Sequence, residues 1–136
     1  MEAPMSQDSN RELILSYYKA LEAGDGEALF AVYDPAVIQT EWPNQLKPKG
    51  DRRGLEKLKS DFERGKGVMR SQTYDIKTLI CTDDYAAVEA TWEGVIAVPL
   101  GKLQPGDVMT AHISTVFTLR DGKIVNQRNY DCFEPF

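Results

Sequence analysis

A chain of 136 residues has room for one domain with its own core, and none for a second. Hydrophobic residues make up 42% and charged residues 27%, an ordinary globular composition that excludes disorder. A formal net charge of −5 disfavours attraction to nucleic acid phosphates or anionic membranes, so neither is expected as a partner.

Residues 1–8 read as a flexible tail and residues 9–136 as a single domain. Ser9 or Asn10 can cap a helix to about Ala23, with Leu13, Ile14, Tyr17, Tyr18 and Leu21 at the three- and four-residue spacing of a buried stripe. Gly24 stops it. Asp25 then caps a shorter helix carrying Leu29, Phe30 and Tyr33, which Asp34-Pro35 ends. Ala36 to Trp42 reads as a strand, followed by a loop rich in proline, lysine and glycine. A third helix runs from about Arg53 to Arg64, with Leu55, Leu58 and Phe62 on one side and Gly65 suited to its C-terminal cap.

The pattern then changes. Thr73–Cys81, Tyr85–Val98, Val108–Arg120 and Ile124–Phe133 are rich in β-branched and aromatic residues, separated by Asp83-Asp84, Pro105-Gly106 and Asp121-Gly122. Asp-Gly favours a type I′ hairpin, so the last three strands should form a meander. Helices first and strands later indicate an α+β fold rather than a parallel sheet.

No motif for a nucleotide, metal or other cofactor occurs, and none is expected. Cys81, Cys132 and the single His112 lack zinc or redox spacing, and the cysteines read as reduced thiols of a cytoplasmic protein. No apolar run approaches the ~18 residues of a membrane span, and no signal-peptide centre is present.

Two stretches carry a family resemblance: Tyr17-Tyr18 followed by EAGDGEALFAVY (Glu22 to Tyr33), and RDGKIVNQRNYDCF (Arg120 to Phe133). With them the chain resembles the SnoaL-like members of the nuclear transport factor 2-like (cystatin-like) superfamily over nearly its whole length. The resemblance implies a cone, a curved antiparallel sheet wrapped around N-terminal helices, with a pocket for a small apolar organic molecule at the wide end. It also implies a homodimer through the convex face of the sheet. Members include ketosteroid isomerases, polyketide cyclases, epoxide hydrolases, dehydratases and non-catalytic binding proteins, so fold alone does not choose the function.

Ketosteroid isomerisation needs a carboxylate base, a tyrosine and a protonated acid. Aligned on this chain those places fall on Thr40, Tyr17 and Thr115, and threonine serves neither as base nor as acid, so that activity is not expected. The same alignment turns Ala111, Ile113, Thr115 and Phe117 inward and puts His112 on the convex face. It turns Gln127, Asn129 and Asp131 toward the pocket, with Arg128 and Tyr130 away. Thr40 inward brings Trp42 inward and sends Glu41 away.

SnoaL-like cyclases use an aspartate near the end of the last strand as acid/base. Asp131 is the counterpart, although many relatives read Y-x-D and Cys132 stands in the usual aspartate place here. The expected activity is cofactor-free proton transfer of isomerase, cyclase or dehydratase type, with Asp131 and Tyr17 as the catalytic groups. The expected ligand contacts are Tyr33, Thr40, Trp42, Thr115, Phe117, Gln127 and Asn129. The alternative is a non-catalytic dimeric ligand-binding module, which the threonines at former acid positions favour.

Overall fold

The structure, a computed structural model, describes residues 7–136. Helix α1 (Gln7–Ala23) buries Asn10, Ile14, Tyr17 and Tyr18 along one face, the stripe that the spacing predicts. Gln7 and Asp8 are already helical; the rest of the expected tail lies outside the described residues. Asn10 is therefore no cap. It is buried, and its amide donates to the carbonyls of Thr82 (2.9 Å) and Asp83 (3.0 Å), tying α1 to a turn of the sheet.

Asp25 caps α2 (Gly26–Phe30), accepting from the Ala28 amide at 3.1 Å. Strand β1 (Tyr33–Glu41) starts before Pro35 rather than after it. The last strand has already captured the chain there: the Ile124 amide donates to Val32 O at 2.8 Å, and Tyr33 pairs with Ile124. Proline ends no helix; it sits in a bulge, because pairing resumes only at Ile38↔Asn126. Inside the bulge the Asp34 carboxylate accepts from the Ala36 amide at 2.8 Å.

A short strand β2 (Asp51–Arg53), expected as loop and helix start, pairs antiparallel with β1 through Gln39↔Arg53 and Glu41↔Asp51. Helix α3 (Leu55–Gly65) follows, buries Leu58 and sets Phe62 edge-on to Phe30. Gly65 is its last helical residue, and Lys66 closes it with an ordinary φ of −62°.

Strands β3 (Met69–Cys81), β4 (Tyr85–Ile96), β5 (Val108–Arg120) and β6 (Lys123–Phe133) form an antiparallel meander, with β3 entering the sheet before the predicted Thr73. Asp121 (φ 53°) and Gly122 (φ 72°) both take the positive φ that a type I′ turn needs. The six-stranded sheet has the order β2-β1-β6-β5-β4-β3, and its one parallel pairing is β1 with β6. It curves around α1. The main core, with Ile14, Tyr17, Tyr18, Val88, Phe117 and Ile124, fills the closed end. A smaller cluster of Trp92, Ile96, Met109 and Ala111 lies toward the other end, with Phe133 and Phe136 packed on it. No described helix is long and apolar enough to cross a membrane.

The Asn10 tie is testable. Asn10→Ala leaves two carbonyls without their donor and should cost about 1–3 kcal/mol in chemical denaturation. An unchanged midpoint would show that the tie carries no weight.

Candidate functional site

Strand register builds a cavity of about 330 Å³ between α1, the concave face of the sheet and the loop after β1, a size suited to a small organic ligand. The pairs Phe117↔Gln127, Thr115↔Asn129, Ile113↔Asp131 and Ala111↔Phe133 stack along β5 and β6, all on the inner face. β6 thus supplies polar side chains and β5 mostly apolar ones. Tyr74, Trp92 and Met69 extend the apolar wall; Glu41 and Arg53 extend the polar side, and Leu46 and Lys47 belong to the loop at the rim. The Trp92 ring passes over Gly94, where any Cβ would come within 2.6 Å of it, and its Nε1 donates to Gln72 at 2.9 Å.

Gln127, fully buried, organises the polar side. Its Oε1 accepts from the Tyr33 hydroxyl at 3.0 Å, while its Nε2 donates to Tyr17 Oη (3.0 Å) and Asn129 Oδ1 (2.9 Å). Those acceptor roles leave the Asn129 NH₂ as a donor for a ligand oxygen, while the Tyr17 hydroxyl also has the Tyr33 hydroxyl as a hydrogen-bond partner. Burial raises the Tyr17 hydroxyl above its ordinary value, only partly offset by the Gln127 hydrogen bond. Burial raises Tyr18, Tyr33 and Tyr74 likewise. All four phenols stay neutral and protonated at physiological pH.

Asp131 is different. Its carboxyl lines the cavity, half-buried, and makes no hydrogen bond or ion pair with any described residue. Burial pushes its pKa up to about 6; the nearby charge of Glu41 adds to the push, and Arg53 opposes it. Arg53 could have neutralised Asp131 but is committed elsewhere. Its Nη2 reaches Glu41 Oε1 at 3.0 Å and also Gln39 Oε1, and its Nη1 reaches Asp61 at 3.2 Å.

Among the expected site residues, Tyr17, Thr115, Gln127, Asn129 and Asp131 line the cavity together. Tyr33 lines an adjoining recess that shares Tyr17, Glu41, Arg53 and Asp131 with it. Phe117 points inward but is packed wholly into the core behind Tyr17 and Tyr18, so it touches no ligand space. Thr40 and Trp42 do not point inward. Trp42 is 46% exposed on the outer face and stacks on Tyr130 at 6.1 Å between ring centroids. The inward residues of β1 are Val37, Gln39 and Glu41, one step out of phase with the expectation.

The alignment that puts Thr40 inward does not allow for the bulge at Asp34–Ala36; taking Val37 as the core residue would have found Glu41. His112 lies on the outer face as expected, with Glu134 at 3.0 Å. The residues sequence reasoning missed are Glu41, Arg53 and Asp61, which meet only because β2 forms. No group of three or more His, Cys, Asp or Glu among the described residues is placed to hold a metal ion.

Comparison with known proteins agrees with this architecture. Residues 14–127 match the family model described as a SnoaL-like domain. A candidate polyketide cyclase from Xanthomonas campestris superposes with a TM-score of 0.77 at 22% identity, covering 91% of this chain and 90% of that one. IdmH, a candidate polyketide cyclase from Streptomyces antibioticus, gives 0.74 at 20% identity, over 89% and 90%. An LEH-like epoxide hydrolase of M. tuberculosis gives 0.70 at 20% identity, over 96% and 86%. No curated protein matches. At such identities the structures establish a shared fold, that of the nuclear transport factor 2-like proteins, while the family model spans most of the sequence: the chain belongs to the SnoaL-like domain family.

Proposed function

We propose that this protein binds a small, largely apolar organic molecule with an oxygen-bearing end and moves a proton on it without a cofactor. Asp131 carries the reading: an unpaired carboxyl in the cavity with a pKa near 6 exchanges protons readily around neutrality. In its ionised form it takes a proton from a carbon next to a carbonyl. The electron pair moves onto the carbonyl oxygen, where the Tyr17 hydroxyl and the Asn129 amide donate to the developing enolate. Asp131, now protonated, returns the proton at another carbon or to an oxygen. In isomerisation the enolate is protonated at another carbon; in aldol-type ring closure its carbon bonds to a second carbonyl carbon, whose oxygen takes the proton; in dehydration it expels a β-hydroxyl, which takes the proton and leaves as water. The likeness to candidate polyketide cyclases supports ring closure among them.

A carbon-acid probe tests this without knowledge of the natural substrate. An aromatic β-diketone in deuterated water should exchange its α-protons faster with the wild type, read by proton NMR. Asp131→Asn should bind the probe about as well and lose roughly 10²- to 10⁴-fold in exchange rate. Equal rates in the two proteins would reject Asp131 as the base. Thr115, standing where a second acid would serve an oxyanion, favours the binding-module reading, which predicts binding without exchange in both.

The same group sets a pH dependence. The folded pKa of about 6 lies above the ordinary 3.8, so folding retains a proton between those values. Asp131 therefore costs nothing below pH 3.8, and its penalty grows as pH rises through 6. Allowing for the water that reaches it, the penalty at pH 8 is about 2 kcal/mol. Asp131→Asn should accordingly be more stable than wild type at pH 8 and equal to it in acid, measured by chemical denaturation. A variant less stable at pH 8 would contradict the assigned environment.

We further propose that two copies pair through the outer face of the sheet. There the Trp42 and Tyr130 rings, 46% and 44% exposed, form an aromatic ledge. Light scattering at micromolar concentration should report twice the chain mass, and a monomer throughout would reject the pairing.

A further inference from the structure

A second carboxylate faces the cavity, and its surroundings are the opposite of those of Asp131. Glu41 is held at both oxygens: Oε1 accepts from Arg53 at 3.0 Å and Oε2 from the Asn44 side-chain amide at 3.0 Å. Arg53 is fixed in turn by Gln39 and Asp61, and the side chains of Glu41 and Arg53 are each only 11% exposed. Register sets Glu41 of β1 opposite Asn129 of β6. Asp131, two residues further on the same face, is its diagonal neighbour, at a typical backbone separation of roughly 7–8 Å.

We propose that Glu41 is a positioning residue for the proton chemistry of Asp131: clamped by Arg53 and Asn44, it holds a second carboxyl on the same face of the cavity, one strand away, and so favours the protonated form of Asp131 beyond what burial alone does. This rests on the acid–base reading of Asp131 above. A like charge nearby penalises the ionised carboxyl, and Arg53, shared among three acceptors, offsets only part of that.

Beyond burial, the other groups that face this part of the cavity leave the charge balance to this pair. Tyr17 and Tyr18 of α1 and Tyr74 of β3 are buried neutral phenols. Lys47 of the loop is paired with Asp51 at 3.0 Å, and Asp61 of α3 is turned to Arg53. β4 and β5 present Trp92, Ala111, Ile113 and Thr115, which carry no charge.

The experiment is a pH titration by NMR of protein labelled with ¹³C at the aspartate side-chain carboxyls, with Asp131 assigned by its loss in Asp131→Asn. Glu41→Gln, which keeps the shape and removes the charge, should lower the Asp131 midpoint by about one unit. Glu41→Asp, which keeps a charge, should stay closer to wild type. Glu41→Ser, with room for water at Arg53, carries the same test if the glutamine variant is not stable. An Asp131 midpoint unmoved in a folded Gln or Ser variant overturns the proposal. The two readings fail separately. A wild-type midpoint at the ordinary carboxylate value counts against Asp131 as acid/base, whereas the difference between wild type and variant reports Glu41 alone.

Discussion

Arg53 is one cation with three acceptors, and the rest of the site depends on how it is shared. By binding Gln39 and Glu41 on β1 and Asp61 on α3, it joins the edge of the sheet to the helix that closes over the cavity. In that arrangement Arg53 makes no pair with Asp131, although its buried Nε is left without an acceptor. A direct ion pair would pull that carboxyl far below neutrality and fix it as a permanent anion. Left between Ile113 and Phe133 on one side and an already satisfied Glu41 on the other, it titrates near 6 instead. Removing Arg53 would leave two half-buried carboxylates with one partner each, Asn44 for Glu41 and Arg64 for Asp61, and should lower stability. One residue thus ties β1 to α3 and shapes the electrostatics around Asp131.

Around Asp131 the division of labour follows from strand register. β6 contributes Gln127, Asn129 and Asp131 to the inner face, and β5, paired with it, contributes Ala111, Ile113 and Thr115. The cavity therefore has a polar side and an apolar side before any loop is considered, which suits a ligand with one oxygenated end and a hydrocarbon body. Gln127 refines the polar side. Its amide donates to the oxygens of Tyr17 and Asn129, which leaves the Asn129 NH₂ for the ligand space. With the phenols kept neutral by burial, the ionisable group free of a partner in this space is Asp131.

The hairpins were legible in the sequence for local reasons, and the inner faces of the late strands through the family resemblance. On β5 and β6 the faces follow from the family alignment rather than from counting: the Asp-Gly turn marks the hairpin, but a register shift between Thr118 and Leu119 would reverse the β6 face for anyone counting straight from it. Asp131, Asn129, Gln127 and Thr115 fall inside, and His112 and Tyr130 outside. β1 defeats the same alignment. Its pairing with β6 is parallel, so no hairpin fixes the register, and the bulge at Asp34–Ala36 shifts the phase by a step that sequence does not show. Thr40 and Trp42 were exchanged for Gln39 and Glu41 as a result. The Arg53 cluster joins residues from β1, β2 and α3 across a loop whose three-residue strand has no propensity signal of its own. Its parts were visible as charges, and its assembly was not.

The central claim is that one carboxyl inside the cone carries a proton at mildly acidic pH. Infrared difference spectroscopy between pH 5 and pH 7 addresses it directly, because the C=O stretch of a protonated acid disappears as the group ionises. The wild type should lose such a band with a midpoint near 6, and Asp131→Asn should lack that change. A wild-type spectrum with no protonated acid at pH 5, or a band that persists in the asparagine variant, would contradict the account.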